Sequence, residues 1–215
     1  ATDTTIDLTN LKAESGDATK LDALTLSGVA SGATITLNKD NNIAETIDLA
    51  PQANAVKVTG LGTGDTLKGG ALDSNIAGPF VQFTKAASGA TTLNDKAAYY
   101  IDVKNTDVST AANALKALGE VALASSGKAL VAFNTDKGTY IYSVSGGTGD
   151  LTAGNFTLAA IVDDKINNKD SIASGAITFT VDDTPIALKA VAKTFADLKG
   201  QPLDLAKADK DANAI

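Results

Sequence analysis

Thr34-Ile-Thr-Leu37, Thr46-Ile-Asp-Leu49 and Val56-Lys-Val58 decide how this chain folds. Each alternates an apolar residue with a polar one. That two-residue period places Ile35 with Leu37, and Ile47 with Leu49, on one face of a strand, with Thr or Asp on the other. Outward from these segments the pattern recurs at Thr5-Ile-Asp-Leu8 and Leu24-Thr-Leu26, so the tetrapeptide TIDL occurs twice. Turn formers separate the strands: Ser27-Gly28, Ser31-Gly32, Asn38-Lys-Asp-Asn-Asn42, Pro51 and Gly60-Leu-Gly-Thr-Gly-Asp65. Repeated strand–turn units of this kind stack into rolls or sandwiches. Residues 1–75 are therefore predicted to form a repeat-like β region, as a β-roll or a β-sandwich-like part.

A second part is predicted over residues 76–215, β-rich and of α+β character, with residues 169–215 read as a separate tail segment. Phe80–Phe83 and Ala98–Val103 read as strands. Ser109–Ser126 reads as the one clear helix, with Ala111, Leu115, Leu118 and Ala122 on one face, a cap at Ser109 or Thr110, and Gly127 as its stop. Ala129–Phe133 and Thr139–Val144 flank Asn134-Thr-Asp-Lys-Gly138 as a hairpin. Asn155–Val162 and Ala176–Val181 are further strands, and Ala190–Lys199 is a short helix ended by Gly200.

Composition narrows function mainly by exclusion. Among the 215 residues there is no Cys, Met, Trp or His, all 18 cations are Lys, and the 25 acidic residues are mostly Asp. Without imidazole or thiol, neither a Ser-His-Asp nor a Cys-His arrangement exists, and no side chain titrates near neutrality in its unperturbed state. The chain is accordingly expected not to be an enzyme. A net charge of -7 without a single Arg fork argues against nucleic-acid binding. No apolar run approaches the ~18 residues of a membrane helix, so no transmembrane segment is expected. The opening Ala1-Thr-Asp-Thr-Thr5 is polar, unlike a signal peptide. Absence of Met and Cys, which oxidise without repair outside cells, points to an extracellular setting.

Candidate chemistry is sparse. Gly60-Leu-Gly-Thr-Gly-Asp65 and Gly146-Gly-Thr-Gly-Asp150 lack the Lys-Ser/Thr ending of a phosphate loop and the Gly spacing of a dinucleotide site, and read as turns. Calcium is the ligand that the acidic turns suit best, since it takes carboxylate and carbonyl oxygens. The candidate metal ligands are Asp65, Asp150, Asp163, Asp164, Asp182 and Asp183, although neither Gly-rich turn has the spacing of the calcium nonapeptide GGxGxDxUx. Tyr140 and Tyr142 share a strand face, read as half-buried packing ahead of a glycan-stacking platform.

The segment Val56–Leu67, followed by an Ala-rich helix, Ala129–Phe133, Gly138–Val144, an acidic turn and Asn155–Val162, resembles the C-terminal region of RTX-type (type-I-secreted) bacterial surface-layer proteins and related large secreted adhesins. The resemblance covers roughly residues 55–165. It implies a β-rich fold, Ca2+-linked assembly, type I export and a place on the bacterial cell surface. It also implies self-association into a surface layer (S-layer) or, as the alternative, an adhesive or ligand-binding role towards a cell-surface glycan or lipopolysaccharide.

Overall fold

A computed structural model of the chain describes residues 4–10, 23–39, 43–125, 127–147 and 149–180. All of them fall within the compact unit Ala1–Val181. The strands are β1 (Thr5–Asp7), β2 (Ala23–Val29), β3 (Thr34–Thr36), β4 (Ala44–Leu49), β5 (Val56–Thr59), β6 (Thr66–Gly69), β7 (Gly78–Gln82), β8 (Thr91–Leu93) and β9 (Ala98–Asp102). Helix α1 (Ala111–Leu118) follows, then β10 (Val121–Leu123), β11 (Gly127–Thr135), β12 (Gly138–Gly146), a 3-10 turn at Ala153–Asn155, β13 (Phe156–Val162), β14 (Ser171–Ala173) and β15 (Ala176–Thr178). The protein is mainly β with one α-helix among the described residues, as the alternation predicts.

The first six strands form a parallel roll. Odd strands β1, β3 and β5 pair in one layer, and even strands β2, β4 and β6 pair in the other. Partners such as Ile35 and Val58, Leu24 and Glu45, or Ile47 and Leu67 lie 20 to 23 residues apart, whereas Ile6 and Ile35, across the first turn of the roll, lie 29 apart. The period-two pattern sends Ile35, Ile47, Val56, Val58 and Leu67 between the layers, where each is 0% exposed. Burying one such side chain stabilises the fold by about 1.5–3 kcal/mol.

Both layers continue past the roll. In one, β5 is followed by β13, β12, β11, β9 and β7; in the other, β6 is followed by β15 and β14. Strand β7 joins them, pairing in parallel with β9 through Phe80–Gln82 and antiparallel with β14 through Gly78 and Pro79. Residues 1–75 and the later strands thus share sheets and one apolar cluster reaching from Val29 to Phe179. Strands β14 and β15, which fall in the stretch read as a tail, are part of this sandwich. The expected helix at Ala190–Lys199 lies outside the described residues.

The helix prediction over 109–126 requires correction. Thr110 caps α1 by accepting from the Asn113 N–H at 3.3 Å, and Gly119 ends it with φ +84°, its N–H donating to the Leu115 carbonyl. Val121–Leu123 is instead a strand, β10, paired in parallel with β8. Ala114 and Leu118 pack with Phe133, Tyr142 and Phe156 in a second apolar cluster on the other face of the β11–β12 sheet. The hairpin is also longer than predicted: β11 and β12 stay in register from Gly127–Gly146 to Thr135–Gly138. At Gly138, with φ +122°, a Cβ would sit 2.6 Å from the Val162 carbonyl oxygen, so the position requires glycine.

Candidate functional site

The carboxylates named from the sequence do different jobs in different places. Asp65 is 1% exposed. Its Oδ1 accepts from the Glu45 N–H at 2.9 Å and its Oδ2 from the Gly62 N–H at 2.7 Å, which ties the turn before β6 to β4. The same clasp recurs at Asp170, whose oxygens accept from Asn167 N–H at 2.8 Å and Thr180 N–H at 2.7 Å. Burial pushes the Asp170 carboxyl above the usual carboxylate range, and the two backbone N–H donors oppose that rise. An Asn version occurs at Asn155, whose side chain accepts from the Thr152 N–H at 2.7 Å. In all three, the fourth residue of a turn folds its side chain back on the N–H of the first.

Asp163 accepts from the Gly60 N–H at 2.8 Å, and Asp164 accepts from the neighbouring Lys165 N–H while its carbonyl accepts from Thr139 Oγ1. Asp150 is exposed and meets Ala122 through an isolated backbone bridge. Asp182 and Asp183 lie outside the described residues. Among the described residues no group of three or more His, Cys, Asp or Glu is arranged to hold a metal ion. Asp65, Asp150, Asp163 and Asp164, the four candidates among the described residues, are not gathered into one such group.

Two surfaces stand out instead. The first is a polar groove of about 570 Å3 where the hairpin tip meets the loop before α1, lined by Asn105, Thr106, Asp107, Asp136, Lys137 and Tyr140. Asp107 accepts from the Ser109 N–H and from Asn113 Nδ2, both at 2.9 Å. The Ser109 bonds, chiefly, hold its carboxyl below the usual range, so it is an ionised acceptor near neutrality. The two tyrosines of β12 have separate roles. Tyr142 is buried, its hydroxyl donates to the Val108 carbonyl at 2.8 Å, and burial pushes its pKa up to about 12. Half-buried Tyr140 lines the groove, and its hydroxyl makes no hydrogen bond among the described residues. Hydroxyls, amides and carboxylates around one aromatic ring suit a hydroxyl-rich ligand. No sequence motif marks Asp107 or Asp136, because the loop and the hairpin tip meet only in the folded chain.

The second surface is the N-terminal end of the roll. The sheet order runs from β1 at one extreme to β2 at the other, so both outermost strands belong to the first coil. Among the described residues nothing pairs with the outer edge of either. Between them opens a cleft of about 270 Å3 lined by Thr4, Ile6, Leu26, Val29 and Ala33. Ile6 and Leu26 are only half-buried there, although both pack on the main core cluster. The opposite end of the roll has no such edge, since β13 and β15 continue it.

The described residues define a two-layer β domain built on a short parallel roll. No family model, curated protein or solved structure matches the chain. No described helix is long and apolar enough to cross a membrane.

Proposed function

We propose that this chain is a non-catalytic, self-associating structural domain of the bacterial cell surface, exported from the cell. The observation that carries the reading is the first coil of the roll. Among the described residues the outer edges of β1 and β2 have no strand partner and flank a half-filled apolar cleft, and backbone N–H and C=O groups arranged in that way recruit a further strand. The lack of Cys, Met and His supports the extracellular setting.

A second reading, a ligand-binding module of a large secreted protein, is favoured by the groove lined by Tyr140, whose hydroxyl makes no hydrogen bond among the described residues. The two readings separate by sedimentation velocity of the full chain, alone and with lipopolysaccharide or cell-surface polysaccharide added. Association that rises with protein concentration alone supports the first. A chain that stays monomeric and co-sediments with the polysaccharide supports the second and discards the first.

A further inference from the structure

The polar groove beside Tyr140 continues past the loop before α1. Asn105, Thr106 and Asp107 line it, and the same three line a second cavity of about 470 Å3 together with Lys85, Asn113 and Lys116. Lys85 in turn lines a third, of about 240 Å3, with Thr91 and Glu120. Shared linings make these one furrow, running from Tyr140 along α1 to the loop before β8. Part of its wall is a helix face: Asn113, Lys116 and Ala117 fall at i, i+3 and i+4, a face distinct from that of buried Ala114 and Leu118. The eight residues of α1 are about 12 Å long, so the furrow suits a chain of linked units better than one small molecule.

Bonds within the protein fix its shape. The Asn105 N–H donates to Asp136 Oδ2 at 3.3 Å, which ties the loop to the hairpin tip. Asn113 Nδ2 donates to Asp107 at 2.9 Å and ties the loop to α1, while the buried Tyr142 hydroxyl holds the Val108 carbonyl at 2.8 Å. In the loop before β8, the Ala86 N–H donates to Thr91 Oγ1 at 2.8 Å. Groups already held in place lose little freedom when a ligand arrives.

The charges are sorted along the furrow. Around Tyr140, Asp107 and Asp136 outnumber Lys137. In the middle, Lys85 and Lys116 outnumber Asp107, and both lysines are exposed. A Cβ built at Gly119 would lie 3.8 Å from Lys85 Nζ, so this ammonium rests at the C-terminal end of α1, where helix carbonyls favour a cation. The Tyr140 end offers carboxylates and amides beside one aromatic ring, which suit the hydroxyls and apolar face of an uncharged sugar. The two ammonium groups suit a carboxylate or phosphate. A bound peptide draws on main-chain pairing or an apolar groove, whereas this furrow presents polar side chains.

We propose that the furrow binds an acidic heteropolysaccharide, one that carries an anion on some units and only hydroxyls on others. The anion sits between Lys85 and Lys116, and the neighbouring uncharged sugar lies against Tyr140 and Asp107. This rests on the ligand-binding reading above and adds the ligand class and its register; it uses neither β1 nor β2.

Calorimetric titration of the full chain tests it with four probes: hyaluronan oligosaccharides, in which a carboxylate alternates with an uncharged sugar; lipopolysaccharide, whose anion is phosphate; neutral dextran; and poly-glutamate. Hyaluronan or lipopolysaccharide should bind about tenfold tighter than dextran or poly-glutamate, and the tighter of the two identifies the anion as carboxylate or phosphate. Lys85→Gln and Lys116→Gln should each weaken that binding about tenfold, and Lys57→Gln, an exposed lysine on β5, should leave it unchanged. Tyr140→Ala should weaken it as well; circular dichroism checks that this variant folds, and the two surface lysine variants decide the matter without it. Poly-glutamate binding as tightly as hyaluronan and lipopolysaccharide would reduce the furrow to plain charge attraction and overturn the proposal. Dextran binding equally well, with no effect of either lysine variant, overturns the acidic ligand and leaves the ligand-binding reading standing. No binding of any polysaccharide up to roughly 1 mM overturns both.

Discussion

Replacing Asp65 by Asn changes one atom of the carboxylate and tests whether the buried clasp ties the turn before β6 to β4 within the roll. Asp65 receives two backbone N–H groups, from Glu45 on β4 and from Gly62 in its own turn. Beyond it, its carbonyl accepts from the Phe179 N–H at 3.0 Å, and Gly64 donates back to Phe179. An Asn keeps one acceptor oxygen but presents an NH2 group to whichever N–H remains, so one bond becomes a donor–donor clash. A hydrogen bond to a charged group contributes about 1.5–3 kcal/mol, so Asp65→Asn should cost about 2 kcal/mol, and Asp65→Ala, which removes both, about 4 kcal/mol. For a domain of this size each kcal/mol lowers Tm by about 2–4 °C, giving about 4–8 °C for Asn and about 8–16 °C for Ala. Thermal unfolding followed by far-ultraviolet circular dichroism reads this out. Asp150→Asn, on an exposed residue, serves as the control and should stay within about 0.5 kcal/mol of wild type. If Asp65→Asn matched that control, the clasp would contribute nothing and the reasoning would fail.

Gly32 and Gly60 have nearly equal φ, +75° and +74°, but a Cβ at Gly60 would run into the Leu37 carbonyl oxygen while one at Gly32 meets nothing within 4 Å. Gly32→Ala should therefore cost about 1 kcal/mol, the usual left-handed penalty, and Gly60→Ala substantially more in chemical denaturation. The Tyr142 hydroxyl has a folded pKa of about 12, above its ordinary value of 10.0. Its contribution is fully present below about pH 10 and is lost as pH rises towards 12, so Tyr142→Phe should flatten the fall in stability across that window while lowering stability at pH 7 by about 1 kcal/mol. Calcium and magnesium at millimolar concentration should raise Tm equally, through screening of the net charge of -7. A shift specific to calcium would instead point to a built oxygen cage.

Strand positions were legible wherever apolar and polar residues alternate over three or more positions, as at Thr34–Leu37, Thr46–Leu49 and Thr139–Val144. What misled was the end of α1. Val121-Ala-Leu123 continues a helical spacing from Leu118, yet Gly119 had already ended the helix, and the apolar–small–apolar triplet suits a strand equally well. Short strands such as β6 and β14 escaped because three or four residues beside a turn carry too little pattern. The pairings of β5 with β13 and β6 with β15 have no local signal at all, since they join residues about 100 positions apart. For the same reason burial of Asp65 was hidden. Its Gly-rich turn reads as a solvated or cation-binding loop, and only the approach of β4 makes it a structural clasp. Asp170, in the same arrangement, carries no sequence cue beyond its place in an Asn- and Lys-rich turn.

Hydrogen–deuterium exchange of the full chain, measured at low micromolar and at several hundred micromolar protein, tests the central claim most directly. Self-association through the first coil predicts that amides of Thr5–Asp7 and Ala23–Val29 become protected as concentration rises, while the hairpin tip at Asp136 and Lys137 exchanges as before. Unchanged exchange in both edge strands across that range, or new protection confined to the groove around Tyr140, would contradict it.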